Sequence, residues 1–336
     1  MIHRHSMGSE GLLLALLASV AMVALAHFVG VPPRLGGDMG ICLPSPNAWG
    51  MSDLWGWVAN TIVLVITVFT LHIVNREFTF VQGSDTVMTG MFAIMVSSNL
   101  WTSGCMSTSG LFALANLICM TLLFGCYGKR NASQELCVTA TIISLGTMIQ
   151  YAFIFLLPVY LIAAGVLKCL RFKSFVAYLL GIAAPYWVAL GMGIVSLEDF
   201  TMPTMTNLFN GFTSLPTLLV GGINIGVTLL LTLILALGNM VRLYAGNTQR
   251  RLYNLVIDIL GLACVLCMIF DANNMVVYLC TLYMIAAIQL GNLFALRSIY
   301  RGGRWLMALS LLYVIGLVLM VIYDADSNSF DIHIQL

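Results

Sequence analysis

The chain has 336 residues, 60% of them hydrophobic and 8% charged, where an average soluble domain carries about 25% charged residues, so a soluble globule is excluded. Mean hydropathy is +0.99, and apolar runs of membrane-spanning length recur from Gly11 to Tyr323; the chain is expected to be an all-α integral membrane protein whose first partner is the lipid bilayer. Fourteen basic and 13 acidic residues leave a net charge of +1, too sparse and too balanced for a nucleic-acid surface, and nucleic acid is excluded as a main partner.

A spanning helix needs about 20 mainly apolar residues at about 1.5 Å rise each. In chain order the sequence predicts eleven: Leu12–Gly30, Leu54–Val74, Thr86–Gly104, Leu111–Gly128, Leu136–Gln150, Tyr151–Leu167, Ser174–Leu197, Leu215–Val241, Leu252–Phe270, Met275–Leu296 and Trp305–Tyr323. The first follows Arg4 and ends near Ala24-Leu25-Ala26, the layout of a cleavable signal. His27, Phe28, Val29 and Gly30 extend it and favour a retained span; cleavage would leave ten.

The stretch Leu136–Leu167 is long for one span and short for two. Both of its flanks are basic, Lys129/Arg130 and Lys168/Arg171/Lys173, so the chain is expected to enter and return on one side. Two short helices turning near Gln150, or a re-entrant pair shielded by neighbours, satisfy this.

Orientation follows from retention of Lys and Arg on the cytoplasmic side. With a cytoplasmic N-terminus, 13 of the 14 cations fall inside and Arg34 alone outside. Asp38, Asp53, Glu198, Asp199, Asp271, Asp324, Asp326 and Asp331 all fall outside, as does the C-terminal tail. The longest outer segments are Val31–Asp53 and Glu198–Ser214, so residues 1–336 are expected to form a single polytopic membrane domain without a soluble domain.

The outer loop Pro32-Pro33-Arg34-Leu35-Gly36-Gly37-Asp38, followed by Trp49, Asp53, Trp55 and Trp57, combines a cation, carboxylates and interfacial aromatics. An extracytoplasmic glycosyltransferase of the lipid-linked-sugar type needs an acidic residue just after its first span, as base or metal ligand, and a cation for the phosphate. Asp38 and Arg34 can fill those catalytic places. The plainer reading, a loop ion pair with turn-forming prolines and glycines and anchoring tryptophans, is favoured. One outer cation against eight outer carboxylates repels a lipid pyrophosphate unless a divalent metal bridges groups such as Asp38, Glu198, Asp199 and Asp271.

Asp258 is the one carboxylate clearly inside a predicted span, about 9 Å from the start of its helix at Leu252. Intramembrane acids suggest function, here a proton or ion relay; a hydrogen bond from Gln289, at matching depth across the hairpin, or contact with Arg250 or Arg251 would satisfy it structurally. Pro185, with Gly181, Tyr186 and Trp187, predicts a kinked helix that either lines a binding cavity or simply packs, and packing is favoured. The nine cysteines are scattered; Cys264 and Cys267 read as core rather than a metal pair, and Cys42 with Cys105 on the outer side leaves one disulfide open. No metal site and no cofactor are expected.

The residues Asn75-Arg76-Glu77-Phe78-Thr79-Phe80, the polar break from Ser97 to Ser109, Lys173-Ser174-Phe175, and Gly181 followed by Pro185-Tyr186-Trp187 resemble an uncharacterised family of polytopic inner-membrane proteins from Bacteroidota, over about residues 70–190. The resemblance implies a multi-pass protein of the bacterial inner membrane and brings no catalytic residues with it. The expected function is a non-catalytic component of an envelope-assembly or secretion complex, partnered by other envelope membrane proteins. The alternative is an outer-leaflet GT-C-like glycosyltransferase or polymerase acting on a polyprenyl-linked substrate. A further alternative is a transporter or lipid flippase with its path near Asp258, Gln289 and the Pro185 kink.

A cysteine introduced at Lys173 is expected to resist a membrane-impermeant maleimide in intact cells. Rapid labelling there would reverse half of the topology.

Overall fold

A computed structural model describes residues 17, 19–24, 40–81, 85–104, 106–129, 131–200, 215–243, 248–271, 274–295 and 307–319. The described residues are helical, without a β-strand. In order they form α1 (Asp53–Phe78), α2 (Asp85–Ser97), a single turn Leu100–Ser103, and α3 (Thr108–Phe124). Next come α4 (Ser133–Ile149), a 3-10 segment Tyr151–Phe155 running into α5 (Leu156–Val166), and α6 (Phe172–Gly191). The last four are α7 (Leu215–Leu243), α8 (Thr248–Phe270), α9 (Met275–Ala295) and α10 (Met307–Leu319).

Each predicted span from the second onward contains one of these helices. By length and composition, four of the described helices can each cross a bilayer: Leu54–Phe78, Phe172–Gly191, Thr248–Phe270 and Met275–Leu293. Eleven crossings would require the shorter helices to span as well. At 13 residues α2 is about 20 Å long, short of a hydrocarbon core of about 30 Å, and the added turn Leu100–Ser103 makes up the predicted Thr86–Gly104.

The core is built around α9, which packs against α2, α3, α7 and α8. From Val276 to Leu290 no residue is more than 3% exposed, which explains why this helix is apolar on every side. Its polar residues are paired across to neighbouring helices. Tyr283 accepts from Asn99 Nδ2 at 3.1 Å and donates to Asn224 Oδ1 at 3.0 Å, Thr281 accepts from Asn116 at 3.3 Å, and Asn292 donates to Asn254 at 2.7 Å. Outward-facing residues such as Phe69, Leu180 and Leu262, at 66, 64 and 61% exposed, are apolar, as a lipid-facing surface requires.

The most extensive helix pair is α4 with α6. Pro185 has no N–H for the carbonyl four residues earlier, and its ring crowds that turn. The two carbonyls concerned are taken up from the neighbouring helix: Thr141 Oγ1 donates to Gly181 O at 3.3 Å and Ser144 Oγ to Ile182 O at 2.7 Å. Gly181 permits this approach, since a Cβ there would lie 2.3 Å from Cys137 O. Pro185 is buried in this contact.

The chain breaks at Gln150, where the backbone is extended (φ −147°, ψ 116°), as the two-helix alternative for Leu136–Leu167 requires. Ends assigned to one side by charge also lie together. Phe124 stacks on Tyr253 with ring centroids 4.3 Å apart; at the opposite end, residues 40–43 meet 147–148, and 150–151 meet 271–274.

Gly181→Ala forces the Cβ against a backbone carbonyl. We expect it to lower unfolding stability by about 1–3 kcal/mol, read as a reduced thermal midpoint in mild detergent with the protein still inserted.

Candidate functional site

The site is built on the C-terminal end of α4. The last carbonyls of any helix lack intrahelical partners, and in apolar surroundings protein donors must supply them. Gln150 N–H serves Gly146 O at 2.8 Å. The next two carbonyls are served by a distant strap, residues 40–43: Ile41 N–H donates to Thr147 O at 3.1 Å and Leu43 N–H to Met148 O at 2.9 Å. A Cβ on residue 40 would lie 2.1 Å from Met148 O, so this approach demands Gly40.

On one flank of the helix end the chain turns inward to a buried polar cluster. Asp271, 0% exposed, accepts from Tyr151 OH at 3.0 Å, from Tyr278 OH at 3.0 Å, and from Asn274 Nδ2 at 3.1 and 2.9 Å. Gln150 Nε2 donates to Asn274 Oδ1 at 2.6 Å, and Asn274 also donates to the Tyr151 hydroxyl. A buried carboxylate is tolerable when donors occupy its lone pairs, and here two hydroxyls and an amide do so.

On the other flank Thr147 and Tyr186 share a hydrogen bond of 2.6 Å. Tyr186 packs with Cys42 and Leu43 against a small core of Met148, Ala189 and Val195, and its ring lies 6.0 Å from that of Phe200. Asp199 caps the short turn before Phe200, accepting from Ser196 N–H at 2.7 Å and Ser196 Oγ at 2.9 Å. Those two bonds hold its carboxyl below the usual carboxylate range. Burial, and then the Asp199 charge, push the Cys42 thiol up.

The predicted site residues therefore separate into groups. Tyr186, Asp199 and Asp271 adjoin the same helix end. Glu198 is exposed beside Asp199. Trp187 is 80% exposed and points away, and Pro185 belongs to the α4–α6 contact. Asp258 and Gln289 form a different layer about 20 Å along α8 from Asp271: Gln289 Nε2 donates to Asp258, as their matching depth suggested, and Asn239 Nδ2 donates to Gln289 O at 3.0 Å. Arg34 and Asp38 lie outside the described residues, as does Cys105; the chain is described again from Gly40, two residues past Asp38. Among the described residues no three His, Cys, Asp or Glu side chains converge as a metal site would need.

Tyr151, Asn274, Tyr278 and Thr147 were not singled out by sequence reasoning. A partial signal existed in the polar Gln150-Tyr151 pair within an apolar run and in the tight hairpin Asp271 to Asn274.

No protein-family model matches the sequence, and no curated protein matches it. The fold does match solved structures of an oligosaccharyltransferase from Archaeoglobus fulgidus. Archaeal oligosaccharyltransferase AglB, in complex with an inhibitory peptide and a dolichol-phosphate, superposes with a TM-score of 0.53 at 12% identity, over 97% of this chain and 56% of that one. The enzyme tethered to an acceptor peptide containing the NVT sequon gives 0.51 at 12% identity, over 96 and 55%, and the apo form 0.50 at 12% identity, over 95 and 56%. The chain thus spans little more than half the length of the structures it matches.

Removing the Asp199 charge should let the Cys42 thiol ionise more readily. Asp199→Asn is expected to move the pH profile of maleimide labelling at Cys42, followed by peptide mass spectrometry, to lower pH. For Asp199 itself the sign is opposite: its lowered pKa means the Ser196 cap contributes at neutral pH and is lost as pH falls through the folded value.

Proposed function

We propose that the protein is a GT-C-like membrane glycosyltransferase that takes a sugar from a polyprenyl-phosphate-linked donor at the extracytoplasmic face. The carrying observation is the shared fold, which extends over 95–97% of this chain. It favours this reading over a non-catalytic envelope component. One of the matching structures was solved with a dolichol-phosphate, which supports a lipid phosphate as the class of donor.

The chemistry asks for few groups. Asp38 accepts the proton of the acceptor as the acceptor atom attacks the anomeric carbon, and the bond from that carbon to the lipid phosphate breaks. The phosphate departs with the electron pair and the added negative charge, which Arg34 stabilises. In sequence both residues follow the first predicted span, and Asp38 lies two residues before the strap on α4. Anchoring matters because misplacing a reacting group by about 1 Å can cost on the order of 100-fold in rate.

In proteoliposomes carrying a polyprenyl-phosphate sugar, Asp38→Asn is expected to abolish donor consumption, and Arg34→Ala to reduce it by about 100-fold, with insertion intact. Undiminished turnover by Asp38→Asn would refute the assignment of the base.

A further inference from the structure

Asp271 sits on the turn between α8 and α9, is fully buried, and is bonded to a residue 120 positions earlier in the chain, Tyr151. The pair Asp271 and Asn274 fixes both residues of the α4 break: the Tyr151 hydroxyl lies on the carboxylate, and the Gln150 amide on Asn274. That break directly follows Thr147 and Met148, whose carbonyls hold the strap. Hydrogen bonds and chain continuity therefore link a buried carboxylate to the strap at residues 40–43, which begins two residues after Asp38 in sequence.

We propose that Asp271 is a positioning residue, which through Tyr151 sets the α4 break and so holds the 40–43 strap at the catalytic end of the molecule. It does not touch the substrate. The inference rests on the glycosyl-transfer reading, and it explains why a carboxylate is kept where an apolar side chain would be cheaper to bury. It also accounts for the geometry of the donors: two tyrosines and an asparagine converge on a residue that, buried as it is, meets no substrate from outside.

Cys42 in the strap provides the readout, because lifting of the strap exposes its half-buried thiol. Labelling of Cys42 by an impermeant maleimide, quantified by peptide mass spectrometry in the inserted full chain, tracks the population of lifted strap. Losing one buried hydrogen bond should raise that population about tenfold. Tyr151→Phe and Asp271→Asn are each expected to accelerate labelling by that factor, whereas Glu135→Gln, at the far end of α4, leaves it unchanged. Where a polyprenyl-phosphate sugar is turned over, Tyr151→Phe should lower kcat by a similar factor at unchanged KM for the donor.

Unchanged Cys42 labelling in Tyr151→Phe overturns the proposal even if Asp271→Asn fails to insert, and so does equal acceleration by Glu135→Gln. A wild-type chain that consumes no lipid-linked donor removes the glycosyltransferase reading instead. The labelling result then still decides whether Asp271 holds the strap.

Discussion

Backbone carbonyls and amides inside a bilayer have no water to bond, and every interruption of a helix must be satisfied by the protein itself. Three interruptions in this chain are closed in that way. Between α2 and α3, Asn99 caps the turn by accepting from Trp101 N–H at 2.9 Å, Thr102 Oγ1 returns to Val96 O at 2.7 Å, and Asn60 Nδ2 reaches across from α1 to Thr102 O at 2.8 Å. In α6, hydroxyls from α4 serve the carbonyls disturbed by Pro185. At the end of α4, the backbone of a strap does the same work. Helix breaks, Ser and Thr residues and close interhelical contacts therefore coincide, because one need produces all three.

That need also gathers distant segments at one place. A segment docked by its backbone N–H groups on a helix end is held in register more firmly than a free loop, since each bond lost leaves a carbonyl unpaired in apolar surroundings. The strap is such a segment. Its neighbours on either flank, the Asp271 cluster and the Tyr186–Asp199 side, come from four separate stretches of sequence, so the end of α4 is where the fold brings distant residues together.

Much of this architecture is legible in the sequence because membrane insertion imposes strong patterns. The helices announce themselves by apolar length, four of the described ones long enough to cross a bilayer, and the basic flanks of Leu136–Leu167 call for a break, which falls at Gln150. The partnership of Asp258 with Gln289 could be read from depth along a hairpin. The burial of Asp271 could not. A carboxylate in a short hairpin between two spans reads as solvent-facing, and nothing local signals that Tyr151 and Tyr278 will donate to it. The capping by residues 41–43 was equally hidden, because backbone donors leave no trace in side-chain identity; Gly40 is the single residue whose type the contact dictates.

The charge count that the sequence assigns to the outer side changes once burial is known. With eight carboxylates and one cation assigned to that side by the sequence, an anionic donor would meet repulsion from most directions. Asp271 is removed from that count as a surface group: it is enclosed, and its carboxyl oxygens accept from two hydroxyls and an amide rather than from solvent. Asp199 is turned onto Ser196 by its cap. At physiological ionic strength exposed charges are screened beyond about 8 Å, so the remaining acids matter only where they stand close to the phosphate. On the glycosyl-transfer reading proposed above, the balance that counts would be the local one between Arg34 and Asp38, four residues apart in sequence.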